Sequence, residues 1–138
     1  MEHVPEGFVL HERSSPLTAP WEPIYARRAD DRYLLAIEVR PEHTNSRGLV
    51  HGGLIAALVD NAMGLSLGEQ LKVEGRPATR GAITTALSID YLGRAEIGDW
   101  LRFETDFIHA GKRTAVTQAT VSVRHRIVAR ANAAFAFD

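Results

Sequence analysis

The chain has 138 residues, 45% of them hydrophobic, a formal net charge of −1 and no cysteine. That length suits one domain spanning residues 1–138, able to bury about two thirds of its unfolded surface. The balanced charge excludes a general attraction to nucleic acid or to membrane surfaces, and the missing cysteines exclude disulfides, thiolate nucleophiles and zinc–thiolate sites together.

Residues 1–23 hold four of the six prolines, so they read as a covering arm with at most a short helical turn over Glu6 to His11. The arm has no signal-peptide apolar core, and no later run approaches the ~20 apolar residues of a membrane span, so a cytoplasmic protein is expected. Ile24 to Arg28 and Tyr33 to Arg40 read as a hairpin around the polar turn Ala29-Asp30-Asp31-Arg32, ended by Pro41. A polar loop, Glu42 to Gly48, then leads into the stretch that organises the chain.

From Gly53 to Leu67 the residues are strong helix formers or small apolar ones, without proline, and Asp60 is the only charged side chain. A buried helix is expected, opened by His51-Gly52-Gly53 and fraying near Gly68 before a loop from Lys72 to Arg80. At roughly 100° per residue, Leu54, Ile55, Leu58, Val59, Ala62 and Leu65 share a bulky face, and Gly53, Ala56, Ala57, Asp60, Asn61 and Gly64 share a small one. A carboxylate among Ala and Gly is poorly hydrated, which makes Asp60 a candidate general base or nucleophile rather than a solvated surface acid. The helix N-terminus offers unpaired N–H groups at Gly52 and Gly53, a candidate oxyanion site. Gly52 and Asp60 lie eight residues apart, or roughly 12 Å, too far to act on one carbonyl within one helix. A second subunit, its helix meeting the first through the small faces, resolves that distance.

Ile83 to Leu92, Asp99 to Ala110, Thr114 to Val123 and Ile127 to Phe137 read as strands of an antiparallel sheet. With one long apolar helix and about six strands, the expected architecture is α+β, a curved sheet wrapped around the helix.

Gly64-Leu65-Ser66-Leu67-Gly68 matches the G-x-S-x-G pattern of serine hydrolases, but a helical run precedes it where a nucleophile elbow needs a strand, and Ser66 falls on the bulky face. The six histidines show neither an i, i+4 pair nor an acidic partner at ligand spacing, so no metal site is expected. His51 adjoins the helix start, where a capping role and a direct catalytic role are equally consistent with the sequence. Arg94, Lys112 and Arg113 sit at strand ends, as a phosphate site or as solvated surface.

Asn45, His51-Gly52-Gly53 and Asp60 in Leu58-Val59-Asp60-Asn61-Ala62-Met63-Gly64 closely resemble the motif of the hotdog-fold acyl-CoA thioesterases, in particular the PaaI-like branch. The likeness continues through Ala86 to Leu92, Gly98-Asp99 and Gly111-Lys112-Arg113. The resemblance implies that the Gly52 N–H polarises a thioester carbonyl, that Asp60 of the facing subunit attacks or activates water, that Asn45 orients that group and that Thr84 assists. It also implies a homodimer that pairs again into a tetramer, with Gly53, Arg94, Lys112 and Arg113 toward the substrate. Arg94 stands where relatives often have proline. No resident cofactor is implied; coenzyme A enters as part of the substrate. A non-catalytic acyl-CoA binding or regulatory module is the alternative, disfavoured by Asp60 and Asn45, and a dehydratase would need a His and acid pair that this helix lacks.

Overall fold

The computed structural model describes residues 3–138. Its elements in chain order are strands β1 (Val9–Leu10), β2 (Tyr25–Ala29) and β3 (Arg32–Glu38), helix α1 (Gly52–Val73), and strands β4 (Ile83–Tyr91), β5 (Trp100–Ala110), β6 (Thr114–Val123) and β7 (Arg126–Ala136). All pair antiparallel in one seven-stranded sheet, ordered β1-β2-β3-β5-β6-β7-β4. The seventh strand is β1, in the arm; where a helical turn was expected, Val9 and Leu10 pair with Ala26 and Tyr25. Extended backbone there satisfies donors on the β2 edge that a helical turn would leave open.

The helix lies against one face of the sheet. Leu54, Ile55, Leu58, Val59 and Ala62 are buried as their helical spacing requires, joined by Met63, Leu67 and Leu71, and pack with Leu35, Ile37, Leu101, Phe103 and Val121. Each fully buried Leu or Val contributes about 1.5–3 kcal/mol relative to exposure, so this stripe dominates the attachment of α1 to the sheet. Leu65 differs from expectation, being only half-buried, whereas Ser66 is sealed inside on the bulky face as its spacing requires. The Ser66 hydroxyl accepts from the Tyr33 N–H at 3.0 Å and donates to the Tyr33 carbonyl at 3.2 Å, so it ties α1 to β3. A buried hydroxyl without those bonds costs about 1–3 kcal/mol, and with them it is a strut, not a nucleophile.

The helix also runs past Gly68 to Val73. Nothing crowds Gly68, and Leu71 is fully buried, so packing on the far side carries the helix through that glycine. The stop comes at Gly75, with φ of +75°, where the Gly75 N–H donates to the Lys72 carbonyl and the Arg76 N–H to the Leu71 carbonyl. This pair of bonds closes the helix C-terminus in a left-handed conformation that glycine adopts without strain.

On the opposite sheet face a smaller cluster of Phe8, Tyr25, Leu34 and Ala36 is covered by the arm, with the Arg27 and Arg102 guanidinium groups over the Phe8 ring at 5.3 and 5.2 Å. Elsewhere that face and the β4 edge expose Ile83, Leu87, Phe107 and Val116. No helix among the described residues is long and apolar enough to cross a membrane.

Candidate functional site

His51 is the N-cap of α1: its Nδ1 accepts from the Gly53 N–H at 2.8 Å, which puts the ring proton on Nε2. The His51 carbonyl takes the N–H groups of Leu54 and Ile55. Among the described residues nothing accepts from the Gly52 N–H. The cap thus consumes the Gly53 donor and leaves the Gly52 donor as the free one at the positive end of a 22-residue helix. The sequence treats the two glycines as equivalent donors; the imidazole separates them. Tyr91, at the end of β4, donates its hydroxyl to the Gly52 carbonyl at 2.6 Å and lays its ring beneath the Gly52 Cα. Only the sheet register reveals this second clamp.

The loop before the cap is equally tied. Asn45 Oδ1 accepts from the N–H groups of Arg47 at 2.8 Å and Leu49 at 3.2 Å, so the carbonyl side of this amide shapes the loop and its Nδ2 is the end left for a ligand. His43, to which the sequence assigns no role, is buried, with 1% exposure. Its Nδ1 accepts from the Arg40 N–H at 2.9 Å, its Nε2 donates to the Trp21 carbonyl at 2.9 Å, and its own carbonyl accepts from the His51 N–H. His43 therefore pins the arm, the loop and the helix cap to one another.

Burial, opposed by the Trp21 bond, holds the His43 imidazole below its ordinary value of 6.5, and burial with the Arg13 charge does the same to His11. A folded pKa below the unfolded one means that the unfolded chain binds more protons just under pH 6.5. The stabilisation is complete above that value and is lost as pH falls toward the folded pKa. Thermal unfolding between pH 7 and pH 5 should therefore show a smaller loss of Tm in His43→Gln than in the wild type; equal losses would rule out His43 as a source of the acid sensitivity.

Halfway along α1, Asp60 lies half-buried on the small face, and Thr84 of β4 donates to its Oδ1 at 2.7 Å. Two of the candidate residues are thus brought together from 24 positions apart, by a bond the sequence does not foretell. Among the described residues only Oδ1 is engaged, so Oδ2 is open to a proton or an electrophile. Asp60, Asn61, Gly64 and Thr84 border a cleft of about 570 Å³, whose far rim carries Arg13, Arg28 and Lys72. Arg13, from the arm, and Arg28, from β2, have no spacing relation to Asp60, so no sequence pattern could join them to it.

The cationic candidates do not meet within one chain. Arg94 follows β4 at the sheet end that holds Gly52, whereas Lys112 and Arg113 form the β5–β6 turn at the end where α1 stops. That turn is held by Arg76, which donates to the carbonyls of Gly111 at 2.8 Å and Ala110 at 3.1 Å.

Residues 47–129 match the model of the thioesterase superfamily. A Pseudomonas aeruginosa protein carrying an esterase designation, PA0474, is 34% identical over 136 residues, covering 98% of this chain and 98% of its own. Human acyl-coenzyme A thioesterase 13 is 29% identical over 94 residues, 68% of this chain and 63% of that protein. Among solved structures, a thioesterase protein from Streptococcus pneumoniae with coenzyme A superposes with a TM-score of 0.71 at 24% identity, over 85% of this chain and 90% of that one. A mutant of the phenylacetic acid degradation protein PaaI from Thermus thermophilus gives 0.74 at 22% identity, over 89% and 98%. At those identities the structures speak to the fold.

Proposed function

The chain belongs to the thioesterase superfamily, and we propose that it hydrolyses an acyl-CoA thioester to the free carboxylic acid and coenzyme A in a site shared between two subunits. Its fold is the hotdog fold and its reaction class is thioester hydrolysis. The acyl-CoA identity of the substrate is supported by the acyl-coenzyme A thioesterase among the relatives. Coenzyme A is then a substrate part, and the chain itself supplies the donor and the carboxylate.

The observation that carries the shared site is the spacing along α1. The free Gly52 N–H and the Thr84-bonded carboxylate of Asp60 lie eight residues apart, or roughly 12 Å, on one rigid helix. Strand β4 ends the sheet with an unpaired edge that exposes Ile83, Leu87 and Tyr91. A second copy added antiparallel along that edge would extend the sheet and set the small faces of the two helices together, with the Gly52 end of one beside the middle of the other. The same two-fold brings Arg94 of one subunit to the sheet end that carries Lys112 and Arg113 of its partner, a cationic border suited to nucleotide phosphates. The exposed Leu87, Phe107 and Val116 suit a further pairing of dimers, back to back.

In this arrangement the thioester oxygen accepts from the Gly52 N–H, whose place at a helix start stabilises the negative charge that develops there. Asp60 Oδ2 of the facing subunit takes a proton from water while the water oxygen adds to the carbonyl carbon; collapse breaks the C–S bond, and the departing sulfur takes the proton. Direct attack by Asp60 gives the same net reaction through an anhydride that water then opens. The Thr84 bond fixes the carboxylate rotamer in both routes, and Asn45 Nδ2 orients the attacking group.

The test is complementation, read as thiol release from a panel of acyl-CoA substrates. Asp60→Asn and Gly52→Pro chains, each inactive alone, should regain about one quarter of wild-type activity when co-expressed, since random pairing gives mixed dimers with one intact site of two. A mixture as inactive as its parents would exclude the shared site, and a wild type that releases no thiol from any acyl-CoA would exclude the substrate.

A further inference from the structure

The cleft beside Asp60 continues into a smaller recess of about 120 Å³ under the arm, lined by His11, Arg13, Ser14, Ser15, Thr18 and Asn61. The two spaces share Arg13, Asn61 and Leu65. A group whose reacting carbonyl sits at Asp60 therefore extends past Asn61 toward a polar end rather than an apolar one.

The charges along that path are unevenly committed. Arg28 stands 3.4 Å from Glu69 and over the Tyr33 ring at 5.0 Å, and Lys72 lies 4.0 Å from the same Glu69. Arg13 has no carboxylate partner among the described residues. In the recess, His11 Nδ1 is buried with no hydrogen-bond partner among those residues, while the Ser15 and Thr18 hydroxyls engage each other at 3.0 Å. Burial and the Arg13 charge lower the His11 pKa against the opposing Glu22 and Glu12 carboxylates, which leaves Arg13 as the cation of this end near neutral pH. The Ser15 and Thr18 hydroxyls also accept from each other's backbone N–H groups, so the exposed Arg13 guanidinium is the group an aliphatic tail would leave unpaired and an anion would pair with.

We infer that the cleft selects acyl groups ending in a carboxylate, held at the recess by Arg13. Asp60 and Leu65 are five residues apart, about 7.5 Å along the helix axis, the reach of an extended acyl chain of about six carbons counted to its terminal carboxylate. The carbonyl end of this inference rests on the thioesterase reading above; the anion end does not. A coenzyme A phosphate could also seek Arg13, and the experiment separates the two anions.

Adipyl-CoA and hexanoyl-CoA have six-carbon acyl groups and the same carrier, differing in the terminal carboxylate. Wild-type protein should show a kcat/KM about tenfold or more higher for adipyl-CoA, Arg13→Gln should cut that ratio by about tenfold or more, and Arg13→Lys should restore part of it. Calorimetry should show free adipate binding more tightly to wild type than to Arg13→Gln, with no such difference for the neutral hexanamide. A wild-type ratio at or below one overturns the inference. So does an Arg13→Gln that slows both substrates equally, the mark of a phosphate contact. If no thioester is cleaved, Arg13-dependent adipate binding still upholds the anion site while the hydrolase reading falls, and absence of that binding overturns the site.

Discussion

Asp60→Asn should lower kcat by about 10²–10⁴-fold, the range by which a positioned general base accelerates a reaction, while the fold and thioester binding persist. The amide keeps the size of the side chain, and its oxygen can still accept from Thr84 in place of the Oδ1 contact at 2.7 Å. What disappears is the second carboxylate oxygen, which no described residue occupies. Asp60→Glu separates geometry from chemistry: the longer side chain keeps the charge but moves it off the Thr84 anchor, so partial activity is expected. Steady-state kinetics with circular dichroism as the folding control decides the matter. A well-folded Asp60→Asn of near-wild-type kcat would leave Asp60 as a structural acid and remove the mechanism built on it.

The small face of α1 was legible because it depends on helical period alone. Gly53, Ala56, Ala57, Asp60, Asn61 and Gly64 all keep solvent access, and every expected bulky residue except Leu65 is buried. The four C-terminal strands were legible for the same local reason, alternating or β-branched runs bounded by glycine turns, except at the Arg124-His125 turn between the last two. Long-range polar bonds were not legible. The Ser66 hydroxyl is tolerated inside because the Tyr33 backbone, 33 residues earlier, satisfies it, and Leu65 lines the cleft instead of the core. The helix runs past Gly68 to Val73, just before Gly75, because a glycine stops a helix when it takes the left-handed conformation, not merely when it occurs. His43 and Arg13 acquire their places from tertiary contacts between the arm and the body, which carry no period and no spacing. The proposed acid and donor were thus readable from one helix, whereas the groups that hold the cap and face the acyl end were not.

Gly52→Pro should lose about 10²–10³-fold in kcat, because it removes the one donor at the helix start that the structure leaves unclaimed. Proline suits this position otherwise: Gly52 is the first residue of α1, where a missing N–H breaks no helical bond and the fixed φ fits the helix. The complication is steric. A Cβ at Gly52 would approach the Tyr91 ring to 3.2 Å and its hydroxyl oxygen to 3.3 Å, so any substitution must push Tyr91 by a few tenths of an ångström. Tyr91 is 52% exposed and can yield, at some cost to its 2.6 Å bond with the Gly52 carbonyl. Gly52→Ala carries the same Cβ and keeps the N–H, so its loss measures the Tyr91 displacement alone. The difference between the two variants then measures the donor. If alanine and proline lose kcat equally, the contact with Tyr91 and not the N–H is what the substrate requires at this helix start, and the oxyanion assignment fails even though both variants are impaired.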